Sequence, residues 1–406
     1  MSDQKTQTTI QEPFTNTSDL LQAEDRYTSG AYPKRPVAIV RGQGVTVWDA
    51  DGREYLDMTS GQGVAILGHS HPTLVKAVQQ QAARMITCPE IFYNDQRANF
   101  YRDLAEYTPS GLERFFLCNS GAEAIEGAIK LARWATQRTG IVAIQRGFHG
   151  RTMGALSATW KADYRDPFAP LVPGFTHIPF NDLGGASSAV THETAAVIVE
   201  VIQGEGGVHP VEGAYLRSLR QLCTERGALL ILDEIQTGLG RTGRWFACEH
   251  FNVIPDVLCL GKGIAGGLPM GVVAWQCSLE SLPRGSHGST FGGNPLVCAA
   301  ASTTLHILEN ENLIPRADQL GAWFLETARS HGHPLIRETR GKGLMIGIEL
   351  RRRVTPLLKN LMEKGVLALP AGTNVLRLLP PLVVEKNHLE RVLETLMESL
   401  NEMKDE

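Results

Sequence analysis

The sequence predicts an α/β fold: a large, mostly parallel mixed sheet flanked by helices, joined by a smaller α+β unit drawn from both chain ends. Three observations carry this. Six short apolar, β-rich runs recur between residues 114 and 275. Helical patterns separate them, as parallel strands require. Both ends of the chain carry shorter strands and amphipathic helices instead.

The six runs are RFFLC (114–118), IVAIQ (141–145), AVIVEV (196–201), LLILDE (229–234), VLCLG (257–261) and GVVAW (271–275). Near-continuous apolar runs suit a sheet covered on both faces. In the helix expected over 121–136, Ile125, Ala128, Ile129 and Ala132 recur at helical spacing. Toward the C-terminus, helices are expected near 295–308 and 315–331, strands at 343–350 and 375–381, and a last helix over 386–403. That helix strings Leu389, Val392, Leu393, Leu396, Met397 and Leu400 on one stripe. Near the N-terminus, residues 37–57 read as a hairpin with an Asp-Gly turn. The resulting division is a flexible arm over 1–20, a small unit from 21–60 with 302–406, and a large unit over 61–301.

A chain of 406 residues, 43% apolar and 20% charged, is an ordinary globular composition. The net charge of −4 offers no basic footprint for nucleic acid. No apolar run is long enough to span a membrane, and the polar N-terminus does not read as a secretory signal. Seven scattered cysteines without a CxxC pair suit free thiols in a reducing cytoplasm.

Three features fall at strand ends, where open α/β sheets bind ligands. Asp233 closes LLILDE. A carboxylate there is costly to desolvate without a cationic partner, and a pyridinium nitrogen would be one. Taken alone it fits a helix N-cap or a metal ligand equally well. Lys262 follows VLCLG between glycines that leave room for a planar ligand. A lysine desolvated in such a pocket becomes nucleophilic toward an aldehyde, although on spacing alone a surface lysine in a Gly-rich turn is commoner. Asn119-Ser120-Gly121-Ala122-Glu123-Ala124 opens the helix after strand 114–118. Its backbone N–H groups can take a phosphate, and Ser120 with Glu123 also reads as a capping box. Gln203-Gly204-Glu205-Gly206-Gly207 lacks dinucleotide spacing. His69 and His71 lack further ligand-spaced partners, so capping and core roles outweigh metal binding.

In this order NSGAEA, FHGRT, LILDEIQTGLGRTG, GKGIAGGLPMG and HGSTFGGNP resemble the class III (ω-amino) aminotransferases, from about Tyr27 to the last helix. The resemblance implies fold type I, a homodimer with shared active sites, and pyridoxal 5′-phosphate (PLP) as cofactor. It implies that Lys262 carries PLP as a Schiff base and moves the proton during transfer. Asp233 would face the ring nitrogen. Ser120, Gly121 and Ala122 would hold the phosphate, Phe148 would stack on the ring, and Gln236 would sit near the phenolic oxygen. Thr290 would reach the phosphate of the neighbouring subunit.

Within the family the sequence is most similar to the acetylornithine branch, including enzymes that act on 2-aminoadipate semialdehyde linked to the acidic carrier protein LysW. That likeness places Arg151, Glu205, Ser289 and Arg377 with the substrate. Arg151 would bind a carboxylate of the donor, and Arg377 a second one that Glu205 covers until glutamate brings it. The expected reaction moves the terminal amine of an α-N-blocked diamino acid to 2-oxoglutarate. The alternatives are another ω-aminotransferase, of ornithine or 4-aminobutyrate type, or a non-transaminase PLP enzyme such as an aminomutase. Two positions depart from the family: Val201 follows Glu200 where proline is common, and VAILGHSHP (64–72) lacks an asparagine common there. A carrier protein would need a basic rim, for which Lys161, Arg165 and Arg284 are candidates.

Overall fold

In the computed structural model, which describes residues 16–403, seven strands form the central sheet. Their order is Leu112–Cys118, Gly271–Gln276, Val257–Leu260, Leu229–Asp233, Thr194–Glu200, Gly140–Ile144 and Phe175–Ile178. Only Gly271–Gln276 runs antiparallel to its neighbours. All six sequence runs are strands. The seventh, Phe175–Ile178, escaped the sequence reading because it is a short, half-exposed edge strand with no apolar run of its own.

Thr194–Glu200 and Leu229–Asp233 are buried at every position, as strands covered on both faces must be. Helix Gly121–Thr136 occupies the span expected for it and buries Ile125, Ala128, Ile129 and Ala132.

The chain ends meet in one sheet. Ile39–Gln43, Thr46–Asp49 and Glu54–Asp57 form a meander, and Val366–Leu367 adds in parallel to its last strand. The expected single hairpin has become three strands because Gly44, at φ 57°, makes a further turn before the Asp-Gly one. A second antiparallel sheet orders Ile336–Lys342, Met345–Leu350, Val375–Leu378 and Leu369–Ala371. Helix Lys386–Glu402 closes the chain on its predicted apolar stripe.

One apolar cluster runs through both parts, holding Leu56, Leu232, Leu260, Leu376 and Leu396 together. Each such side chain contributes about 1.5–3 kcal/mol on burial. Of the arm expected over 1–20, residues 1–15 lie outside the described residues. From Thr17 the chain is helical, because the Asn16 side chain caps Thr17–Tyr27 by accepting the Asp19 N–H at 2.9 Å. No described helix is long and apolar enough to cross a membrane. All seven cysteines are free thiols.

Candidate functional site

The carboxyl ends of neighbouring strands gather the site. Asp233 pairs in register with Glu200 on one side and Cys259 on the other. Three residues beyond Cys259 lies Lys262, and one beyond Cys118 begins the Asn119–Ala122 turn. That turn and the Lys262 loop touch: a Cβ on Gly261 would lie 3.3 Å from the Gly121 Cα. A side chain at 261 would crowd Ile235 and the Gly121 backbone, so glycine there serves close packing as well as the room for a ligand expected from the sequence.

Lys262 opens a short 3₁₀ turn, Lys262–Ala265, with φ at 43°. A lysine in the left-handed region is strained by roughly 1 kcal/mol, a cost that clusters at functional sites. Burial, helped by the Arg377 guanidinium, pushes its ammonium down to about 8 against the pull of Glu205, Asp233 and Glu200. A substantial neutral fraction thus exists near neutral pH, where an ordinary lysine has almost none.

Asp233 is 4% exposed, and its Oδ1 accepts the Ile235 N–H at 3.1 Å. Its Oδ2 lies 2.7 Å from His149 Nδ1. Burial alone would push His149 down, but the hydrogen bond and charge of Asp233, together with Glu200, raise it above its ordinary value. Glu200 receives the N–H groups of Phe148 at 2.9 Å and Gly204 at 3.1 Å. Burial pushes Glu200 up to about 7, with Asp233 adding and His149 opposing. Two buried acids and one histidine thus share charge at the strand ends.

Sequence reasoning missed His149 and Glu200 as members of this group. The available signal was that two acids end adjacent buried strands and must find a partner, and FHGRT, after the next strand, supplies a histidine.

Ser120 caps helix Gly121–Thr136 by accepting the Glu123 N–H at 3.2 Å. Glu123 reaches back past the cap to accept the Asn119 N–H, so the N-cap by Ser120 forms as expected while the return bond of the expected capping box goes one residue earlier. Asn119 Nδ2 donates to Ser289 Oγ at 2.9 Å. Ser289 therefore stands at this helix end, outside the cleft that holds Glu205. Thr290 is exposed beside Phe291, itself 64% exposed.

Arg377 sits in Val375–Leu378 and is 2% exposed. Its Nη2 donates to Glu205 at 2.6 Å and its Nη1 to Gln236 at 3.3 Å. Its Nε has no hydrogen-bond partner among the described residues. Arg151 is exposed and lies 3.6 Å over the Tyr164 ring and 5.7 Å from the centre of Phe148. Stacking on an aromatic face holds its guanidinium without using its donors.

Phe148, Tyr164 and Glu205 line a cleft of about 820 Å³ that continues past Lys161 to residues 370–375. Of the candidate rim cations, Lys161 is in this cleft, Arg165 turns to Trp160 and His177, and Arg284 lines a separate cavity. His69 pairs with Asp57 at 2.8 Å, and His71 with Glu311 at 3.2 Å.

The sequence profile of the class-III aminotransferases matches residues 27–400. The chain is 47% identical to the [LysW]-aminoadipate semialdehyde transaminase of Deinococcus radiodurans, over 95% of this chain and 91% of that one. It is 46% identical to the acetylornithine aminotransferase of Methanopyrus kandleri, over 94% and 99%. Among solved structures, the ornithine aminotransferase of Toxoplasma gondii, with PLP at partial occupancy in its active site, superposes with a TM-score of 0.92 at 36% identity, covering 96% of this chain and 95% of that one. The acetylornithine aminotransferase of Elizabethkingia anophelis gives 0.85 at 34% identity, covering 96% and 100%.

Proposed function

The chain belongs to the class-III aminotransferases, PLP-dependent enzymes, and from that premise we propose that it moves the terminal amino group of an α-N-blocked diamino acid to 2-oxoglutarate, giving the semialdehyde and L-glutamate. The donor is LysW-linked L-lysine or N-acetyl-L-ornithine, in lysine or arginine biosynthesis. The observation that carries this reading is the Glu205–Arg377 pair beside Lys262. A buried arginine covered by a half-exposed glutamate is a carboxylate site with an internal stand-in. When Glu205 swings out, glutamate or 2-oxoglutarate is bound by its α-carboxylate. When it stays, a donor with a remote amine is admitted.

The side chains fit the cofactor. PLP needs an amine for its aldehyde, a carboxylate for its ring nitrogen and N–H groups for its phosphate. Lys262 offers the first, with its lowered proton affinity. Asp233 offers the second, turned by His149. Gly121 and Ala122 offer the third, since the first N–H groups of a helix have no partner within it. Phe148 would cover the ring and Gln236 would approach its phenolic oxygen. Bound there, PLP supplies the electron sink that lets an amino group leave one carbon and reach another.

The rest falls to the chain. Lys262 Nζ takes a proton from the substrate carbon and returns one. Asp233 keeps the ring nitrogen protonated. Arg151 holds the donor's carboxylate with the donors left free by its stack on Tyr164.

A second copy of the chain completes the site through Thr290. In its support, Ile86, Ile91, Phe92 and Tyr93 are exposed on one strap. Arg97 ties that strap to the Thr290 loop by donating to the carbonyls of Phe92 at 2.9 Å and Gly293 at 2.8 Å.

Loaded enzyme mixed with L-glutamate alone should release one equivalent of 2-oxoglutarate per site, the signature of a two-stage transfer; no release contradicts the reading. Assays with N-acetylornithine and carrier-linked lysine side by side then rank the donors.

The lowered Lys262 value sets a pH dependence. Only the neutral amine attacks an aldehyde, so cofactor capture by the apoenzyme should speed up about tenfold per pH unit below about 8 and level off above it. A rate still climbing past pH 10 would mean an unperturbed lysine. For Arg151→Ala, KM for the blocked donor should rise about tenfold, the low end for an exposed charge-assisted contact, with glutamate little affected. An unchanged donor KM removes Arg151 from the site.

A further inference from the structure

Glu205 stands on a turn that is tied down at both ends. Residues 204–208 connect the paired strands Ile202–Gln203 and His209–Pro210. At the far end, the Arg340 guanidinium donates twice to the Gly207 carbonyl, at 2.7 and 3.0 Å. At the near end, the Gly204 N–H donates to Glu200 Oε1 at 3.1 Å. The preceding residue is held as well, because the Gln203 side chain donates to the Gln145 carbonyl at 2.7 Å. Gly204 packs so closely on the Gln236 amide that a Cβ has no room there, and the same amide oxygen accepts from Arg377 at 3.3 Å. Departure of Glu205 from Arg377 is therefore a rotation of its side chain between two fixed peptides.

Glu200 holds more than one end of this turn. Its Oε2 accepts the Phe148 N–H at 2.9 Å. The side chain is buried at the last position of strand Thr194–Glu200, in register with Asp233. One buried carboxylate thus joins the backbone of Phe148 to the backbone that carries Glu205. Hydrogen bonds to a carboxylate are about twice as strong as neutral ones, so both peptides are firmly placed.

We propose that Glu200 is a positioning residue for the substrate switch: by fixing the Gly204 peptide it keeps Glu205 on Arg377, and so sets how far the enzyme favours a donor with a remote amine over glutamate. This rests on the reading of Glu205 and Arg377 as a gate. The two bonds of Glu200 have separable effects. Loss of the Phe148 bond acts on the ring that both donors meet, and it cancels in a comparison between them. Loss of the Gly204 bond frees Glu205 to leave Arg377, which helps glutamate and harms the blocked donor.

The test compares kcat/KM of the loaded enzyme for L-glutamate and for N-acetyl-L-ornithine in single turnovers. Glu200→Met keeps the length of the side chain and removes both acceptors. It should raise the ratio of glutamate to blocked donor about tenfold, through KM. Glu200→Gln, which keeps one acceptor and loses the charge, should shift the ratio the same way by less, and it serves if the methionine variant does not fold. Glu205→Ala removes the gate and should shift the ratio by itself, and in that background a Glu200 substitution should add nothing to the shift. If Glu205→Ala shifts the ratio while the folded Glu200 variants lower both rates equally, the inference about Glu200 is overturned and the gate stands. If Glu205→Ala leaves the ratio unchanged, or the wild-type enzyme turns over no blocked donor, the gate reading fails and this inference with it.

Discussion

Lys262→Ala is expected to lower turnover by about 10⁴-fold or more, because one amine serves as both anchor and proton carrier. Its neighbours leave no substitute. The cation whose charge acts on it, Arg377, is bound to Glu205 and Gln236, and a guanidinium does not give up its proton. The fold should survive, since Lys262 makes no hydrogen bond on which the core depends and its φ of 43° already strains the backbone. Lys262→Gly, which relieves that strain, should be as inactive as the alanine variant. Small primary amines added to either variant should restore part of the activity. Full activity in the alanine variant, or recovery in the glycine variant, would show that Lys262 acts only on the backbone.

Asp233→Asn should cost between about 10²- and 10⁴-fold in turnover while leaving the cofactor on Lys262. Breaking a buried ion pair by removing one charge costs roughly 3–5 kcal/mol, and each 1.36 kcal/mol is tenfold in rate. The effect reaches His149 as well. Its raised proton affinity depends on Asp233 against the downward push of burial. In the variant His149 should titrate below an ordinary histidine, which its ring-proton shifts can report. A loss of less than tenfold, with His149 unmoved, would leave Asp233 a structural acid.

The sheet was legible because buried parallel strands need apolar residues on both faces, and Thr194–Glu200 and Leu229–Asp233 can hardly be mistaken. Phe175–Ile178 was not, since an edge strand is stabilised by one neighbour and needs no such run. Asp233, Lys262 and Ser120 were visible as chemistry at strand ends. Their partners were not: His149 meets Asp233 across 84 residues, and Arg377 meets Glu205 across 172. Contacts that long leave no spacing to read, and the Glu205–Arg377 pair was anticipated only from family resemblance.

The central claim is that Lys262 is the residue that holds the cofactor. Borohydride reduction of the loaded enzyme, then digestion and mass mapping of the peptides, tests it directly. The account predicts a cofactor adduct on the peptide carrying Lys262 and on no other lysine. An adduct on a different lysine, or none at all from an active enzyme, would contradict it.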